Sequence, residues 1–247
     1  MKDLIVIKIG GTSIEQLRPE FFEQLRLWHQ AGRKILLIHG GGREISALTP
    51  KLQLPVKREN GIRITDQATL QLTRMVLLGQ TQPKLLVQLL QHNLPAIGLN
   101  AADHQLLQGE LLDFAKYGYV GRITAINQAF LKPLLQKQLV ITAPLALLGN
   151  QWLNINADSA AAAIASLLQA DELFLLTDVP GVLKAGQVLP TLTVAAAKRL
   201  KAAKIITTGM QPKIAAAFQA ARCGVNHVNI TNQLSATGTQ IIQKEDF

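Results

Sequence analysis

Five short stretches of this 247-residue chain carry residue types and spacings suited to chemistry on anions. Lys8-Ile9-Gly10-Gly11-Thr12-Ser13 follows an apolar run and leads into a helical segment; His39-Gly40-Gly41-Gly42 does the same further on. Two parallel strands that each end in such a loop set backbone N–H groups along the carboxyl edge of one sheet, where anions bind. Glycine suits the task because a Cβ holds the backbone away from a phosphate and because such turns can require positive φ. Tight turns without a ligand use the same residues. In the third stretch, Asn154-Ile155-Asn156-Ala157-Asp158, period-2 spacing turns both amides to one side, and Asp158 stands where it caps a helix or faces a ligand. The fourth, Thr177-Asp178-Val179-Pro180-Gly181-Val182, again follows an apolar run. The fifth, Gly209-Met210-Gln211-Pro212-Lys213, puts a lysine in the first turn of a helix, against the helix dipole. A polyphosphate alongside explains that lysine; a solvated side chain is the alternative.

The elements that position these residues are legible as alternating patterns. Nearly continuous apolar runs predict strands over Leu4–Ile9, Lys34–His39, Pro95–Leu99, Leu139–Ala143, Glu172–Thr177 and Val225–Ile230. Runs of this kind suit a parallel sheet covered on both faces. Pro19 opens a helix striped by Phe22, Leu25 and Trp28 and closed by Gly32; another helix runs from Met210 to about Arg222 with Gly224 after it. Ala160 to Ala165 reads as a tightly packed helix. Leu54 to Thr65 reads as a β-hairpin around Asn60-Gly61, a pair favoured in two-residue turns. The expected fold class is α/β, an open three-layer αβα sandwich with a largely parallel central sheet. Its two lobes share one sheet, residues 1–170 and 171–247, with the boundary near Ala170.

Composition narrows the function classes. Hydrophobic residues make up 48% and charged residues 17%, which places the chain among globular proteins. One cysteine, Cys223, permits no internal disulfide, and the initial apolar run stops at Lys8, too short for a signal peptide, so a cytoplasmic location is expected. The long uncharged stretch Gln138 to Ala157 contains Pro144, Asn150, Gln151, Asn154 and Asn156, and so no membrane span is expected. The excess of 25 Lys and Arg over 16 Asp and Glu raises nucleic acid or a small anion as partner. The 4% aromatic content and the lack of a basic run argue against nucleic acid. Neither a P-loop nor a Gly-x-Gly-x-x-Gly after a strand is present, the kinase His-Arg-Asp and Asp-Phe-Gly sequences are missing, and the five histidines stand far apart. No protein-held metal is expected.

As a set and in this order, the motifs resemble those of the amino-acid kinase family, from Lys8 to about Ile241, together with Asn60-Gly61-Ile62-Arg63-Ile64-Thr65-Asp66 and Gly238-Thr239-Gln240-Ile241. The resemblance is to the branch that phosphorylates the side-chain carboxylate of N-acetyl-L-glutamate with ATP. It implies that Lys8 and Lys213 stabilise the phosphoryl group in transit and that Asp158 holds both lysines. It implies that Gly41, Gly42, Arg63, Asn154 and Asn156 bind the acetylated amino acid in the first lobe, Arg63 by a bidentate pair to its α-carboxylate. ATP is then expected over the second lobe, along Asp178, Val179, Pro180, Gly181, Val182, Leu183, Ile205, Ile206 and Thr207, with Gly10 and Gly11 at its phosphates. The accompanying Mg2+ is expected to be held mainly by phosphates and water.

The sequence departs from the family pattern at Arg43, after the third glycine of the second loop, and at Thr208, where an acidic residue is frequent. Tyr117-Gly118-Tyr119-Val120-Gly121-Arg122 resembles a segment of kinases that act on carrier-bound aminoadipate or glutamate. A sister kinase of such an acid or of carbamate is therefore one alternative; a catalytically silent regulator that binds nucleotide or DNA is another. The chain starts at the first strand, without the N-terminal helix of arginine-inhibited relatives, and a homodimer is expected.

Overall fold

The computed structural model describes residues 1–10, 14, 17–59, 62–207, 209–236 and 238–243. Gly11, Thr12, Ser13, the Asn60-Gly61 turn and Thr208 lie outside the described residues. The first part of the chain holds β1 (Leu4–Ile9), α1 (Pro19–Gln30), β2 (Lys34–His39), α2 (Gly42–Lys51), β3 (Arg58–Glu59), β4 (Ile62–Arg63) and α3 (Gln67–Val76). A π-helical turn, Leu77–Thr81, joins α3 to α4 (Gln82–Gln91), followed by β5 (Ala96–Leu99), β6 (Leu107–Leu111), α5 (Phe114–Tyr117), β7 (Val120–Ile126), α6 (Gln128–Leu135) and β8 (Leu139–Thr142). Then come β9 (Leu145–Leu148), β10 (Gln151–Ile155), α7 (Ala157–Leu167), β11 (Glu172–Leu176), β12 (Leu183–Lys184), β13 (Gln187–Val188) and β14 (Thr191–Thr193). The last are α8 (Val194–Ala202), α9 (Gln211–Arg222), β15 (His227–Thr231) and β16 (Thr239–Ile242).

Among the described residues, eight strands form one open sheet in the order β14-β16-β15-β11-β1-β2-β8-β5. All neighbours are parallel except β15 and β16. Side chains alternate across this sheet as strand geometry requires. Ile5, Ile7, Ile9, Ile35, Leu37 and Phe174 pack under α1 and α4, while Leu4, Val6, Leu36, Ile38, Leu173 and Leu175 join the core that includes α6, α7 and α9. Both faces are covered, which is why the central strands read as unbroken apolar runs. The αβα sandwich is therefore observed, and one sheet runs through both halves of the chain. The six strands predicted from apolar runs stand within two residues of their expected ends, whereas the arms of the expected Leu54–Thr65 hairpin are only two residues each.

A second β structure was not foreseen. Strands β10, β7, β6 and β9 close into a small barrel beside the sheet, with Gly109 and Gly121 at its tightest approaches. Strands β6, β7 and β10 mix polar and apolar residues, β9 is apolar throughout, and each strand has one parallel and one antiparallel neighbour. Arms β3 and β4 of the expected hairpin pair antiparallel.

Two helices set the stage for the site. Helix α7 buries Ala160, Ala161, Ala162 and Ala165, and α9 buries Ala216, Ala217, Ala220 and Ala221. Methyl side chains let helix axes approach closely, and these two helices pack on one another beside β1. Their first turns thereby come together near the carboxyl end of β1.

Candidate active site

Asp158 lies in the first turn of α7 and Lys213 in the first turn of α9, while Lys8 is the penultimate residue of β1. The Lys213 Nζ is 2.8 Å from Asp158 Oδ1, and the Lys8 Nζ is 3.0 Å from the same oxygen. All three side chains are nearly buried. Burial opposes ionisation of Asp158, yet the two ammonium groups outweigh it and hold the carboxyl below the usual carboxylate range. The Lys213 amine is pushed down to about 8, first by burial and then by the like charge of Lys8, with Asp158 opposing. The resulting cluster carries net positive charge at neutral pH. Asp158 does not cap α7: the Asn156 side chain does, its Oδ1 accepting from Ser159 N at 3.0 Å. That leaves the aspartate for the lysines.

Next to this cluster the carboxyl ends of β1 and β2 lie side by side, Ile9 being paired with His39, and Gly10 lines the same cavity as Gly40, Gly41 and Gly42. Helix α2 begins at Gly42, and Gly41 before it has no side chain with which to cap it. Gly41 packs against the π-helical turn, where a Cβ would fall 2.7 Å from Leu77 Cδ2; a Cβ at Gly42 would meet nothing within 4 Å. Below the loop, burial pushes the His39 imidazole down to about 4. It is neutral at ordinary pH, and since the Gly40 carbonyl 3.1 Å away can only accept, Nδ1 carries the proton.

These groups open on a cavity of about 900 Å³ lined by Lys8, Gly10, Gly41, Gly42, Arg63, Asn154, Asn156 and Asp158. Apolar walls come from Ile45, Leu77, Val120 and Ile123. Arg63, at the end of β4, donates from Nη2 to Ser46 Oγ at 2.6 Å, and Ser46 in turn donates to the Gly42 carbonyl. Its Nη1 is buried without a hydrogen-bond partner among the described residues. Burial, and secondarily Arg58, lowers the guanidinium's pKa from its ordinary value. A planar donor set with one orphaned nitrogen beside a glycine loop suits a carboxylate. Asn154 Nδ2 donates to Thr65 Oγ1.

Of the described residues expected at the nucleotide, Gly10 lines this cavity and those of the second half of the chain do not. Asp178 lines a separate groove of about 340 Å³ at the carboxyl ends of β11 and β15. Val182 and Ile206 are buried in the apolar core, and the Val182 N–H is taken by Thr239 Oγ1 at 2.8 Å. Gly181 is buried, with Thr239 and Val188 where a Cβ would go; Leu183 pairs with Val188 in the ribbon formed by β12 and β13. Val179 is half-buried, and Pro180, Ile205 and Thr207 are exposed. Arg43 lines the main cavity. Ser46 and the π-helical turn carry no motif in the sequence, and Thr65 stands in the Asn60–Asp66 motif without a role of its own. A period-2 relation ties Thr65 to Arg63, yet a lone threonine gives no signal until the fold brings Asn154 to it.

The model of the amino acid kinase family matches residues 3–232. The chain belongs to the amino acid kinase family. Within the family, the acetylglutamate kinase of Lactiplantibacillus plantarum is 52% identical over 245 residues, 99% of this chain and 99% of that protein. The acetylglutamate kinase of Leuconostoc citreum is 48% identical, spanning 97% and 98% of the two chains. The crystal structure of smu.665 from Streptococcus mutans UA159 superposes with a TM-score of 0.93 at 37% identity, covering 99% and 100%. In this family member, a cluster of two lysines on one aspartate shares a cavity with Gly10, Gly41 and Gly42.

Proposed function

We propose that this chain is an ATP-dependent kinase of the side-chain carboxylate of N-acetyl-L-glutamate, acting in arginine biosynthesis. The observation that carries the chemistry is the pair of ammonium groups on one carboxylate oxygen at the mouth of the glycine loops. The choice of acceptor is supported by the full-length likeness to two acetylglutamate kinases. The acceptor carboxylate is ionised at neutral pH, so no general base is needed. Catalysis then rests on positioning and on neutralising charge that spreads over the transferring phosphoryl oxygens. Lys8 and Lys213 supply that charge, and Asp158 keeps the two cations from parting. Arg63 and Asn154, with the amides of Gly41 and Gly42, hold the acetylated amino acid; Asn156 lines the same cavity while capping α7.

The nucleotide is assigned to the second half of the chain, past the carboxyl ends of β11 and β15, with its phosphates reaching Gly10. Asp178 in the groove there supports this placement, with Val179, Pro180, Ile205 and Thr207 as the more accessible of the assigned residues and Gly181, Val182 and Ile206 buried. Asp158 Oδ1 is occupied by two ammonium groups, so Mg2+ fits best as a passenger on the phosphates and water, supplying charge neutralisation to them. Among the described residues, no helix is long and apolar enough to cross a membrane. A cytoplasmic homodimer completes the proposal.

The test is a coupled measurement of ADP release by the purified chain, with the acyl phosphate trapped by hydroxylamine. N-acetyl-L-glutamate should drive turnover, and aminoadipate or carbamate should not. In Lys8→Ala, turnover should fall by roughly 10²-fold or more with the fold intact. No N-acetylglutamate-dependent ADP removes the proposal.

A further inference from the structure

The Thr65 side chain is fully buried, and both faces of its hydroxyl are used. Oγ1 donates to the Arg63 carbonyl at 2.9 Å and accepts from Asn154 Nδ2 at 3.0 Å. A hydroxyl has one proton; spent on the Arg63 carbonyl, it leaves only an acceptor for Asn154, which fixes the amide with its nitrogen toward Thr65. One atom thus ties the hairpin arm that carries Arg63 to the strand that carries Asn154, 89 residues further along the chain.

The main chain around Thr65 is anchored as well. Thr65 N donates to the Tyr117 carbonyl at 2.9 Å, and Tyr119 N donates to the Thr65 carbonyl at 2.8 Å. Asn154 N donates to the Tyr119 carbonyl at 2.9 Å. Gly118, between the tyrosines, has φ +66°, and a Cβ there would stand 2.3 Å from the Thr65 carbonyl oxygen. The Tyr117-Gly118-Tyr119 segment is therefore a clip: it grips Thr65 on one side and the Asn154 backbone on the other.

We infer that Thr65 is a positioning residue for the acetylated amino acid, holding Arg63 and Asn154 in one register through its hydroxyl while the Tyr117–Tyr119 clip holds its backbone. This rests on the assignment of Arg63 and Asn154 to that substrate. Thr65 touches neither the lysine pair nor the nucleotide groove, and its effect belongs to binding of the acid.

Steady-state kinetics of Thr65→Val and Thr65→Ser test this. Valine keeps the shape and removes both hydrogen bonds; serine keeps the hydroxyl. In Thr65→Val the KM for N-acetyl-L-glutamate should rise about tenfold, with kcat and the KM for ATP within about twofold of wild type. Thr65→Ser should restore the KM to within about threefold. In an Asn154→Ala background the valine change should add little, because the partner of the hydroxyl is gone. An unchanged KM in Thr65→Val overturns the inference, as does an equal loss in serine and valine variants or full additivity with Asn154→Ala. Because wild type is measured alongside, absence of N-acetylglutamate turnover in all proteins points instead to failure of the proposed function. Thermal melting of each variant reports the folded fraction; rates scaled to it keep a folding defect from imitating the KM effect.

Discussion

At the scale of single residues, the chemistry of the site is a contest between burial and mutual charge. Two ammonium groups share Asp158 Oδ1, and the one on Lys213 is pushed down to about 8 by burial and by Lys8. The proposed transfer uses the cationic form, so kcat/KM should fall as pH rises through about 8, and the limb reports the lysine pair rather than one amine. Bound phosphates favour the ammonium, and the corresponding limb in kcat should lie at higher pH. Stability moves the other way. The unfolded lysine binds its proton more tightly than the folded one, so the cost of burying it is fully present below about 8 and is relieved as pH rises toward the ordinary lysine value of 10.5. Initial rates at saturating and subsaturating substrate between about pH 6 and pH 10 check the first statement. A kcat/KM that stays flat to the alkaline end removes the charged form of Lys213 from the mechanism.

Among the elements, the π-helical turn Leu77–Thr81 and the loop ahead of α2 are fitted to one another. A Cβ on Gly41 would lie 2.7 Å from Leu77 Cδ2 and 3.3 Å from Thr81 Oγ1, whereas Gly42 faces open space. Leu77 is buried and has little freedom to retreat. Gly41→Ala should therefore cost about 2 kcal/mol, a fall in Tm of roughly 5 °C, by overpacking. Gly42→Ala should leave Tm within about 2 °C, because its methyl projects into the cavity, yet raise the KM of the ligand that approaches α2. Differential scanning fluorimetry with kinetics on both variants separates the two; equal losses of Tm would contradict this packing. The same contrast shows what the sequence made legible. A His-Gly-Gly-Gly run announces a loop that something approaches closely, but not which glycine meets protein and which meets ligand. Strands β1 and β2 were legible to the residue because both faces are covered, and such strands have no polar alternation to confuse them. The barrel is not: β6 and β7 mix Gln108, Glu110, Arg122 and Thr124 with apolar residues, and β9 follows β8 across only Ala143-Pro144, so the strand expected over Leu139–Ala143 gives no sign of a second one after it. The lysine pair was legible only through family resemblance. Nothing in the spacing of Lys8, Asp158 and Lys213 requires them to meet; the close approach of two alanine-faced helices does that.

For the whole molecule, the formal charge of +9 is concentrated where it matters for anions. Among the described residues lining the main cavity are Lys8, Arg43, Arg58, Arg63, Arg122 and Lys201, against a single carboxylate, Asp158. Both proposed substrates are anions, and a cleft lined by one sign of charge raises their local concentration. Attraction over distances beyond a Debye length is screened by salt, whereas contacts within the closed, partly buried site are screened much less. Raising ionic strength from about 0.05 M to about 0.5 M should thus lower kcat/KM several-fold for both substrates while kcat changes by less than about twofold. Arg43 and Lys201 stand outside the lysine–aspartate cluster, so Arg43→Gln with Lys201→Gln should flatten that salt dependence and spare kcat. The decisive comparison is the slope of log(kcat/KM) against log ionic strength in wild type and double variant. If the slopes coincide, Arg43 and Lys201 serve the fold or local contacts rather than the capture of substrate; if the double variant is flatter, these two side chains draw anions toward the site.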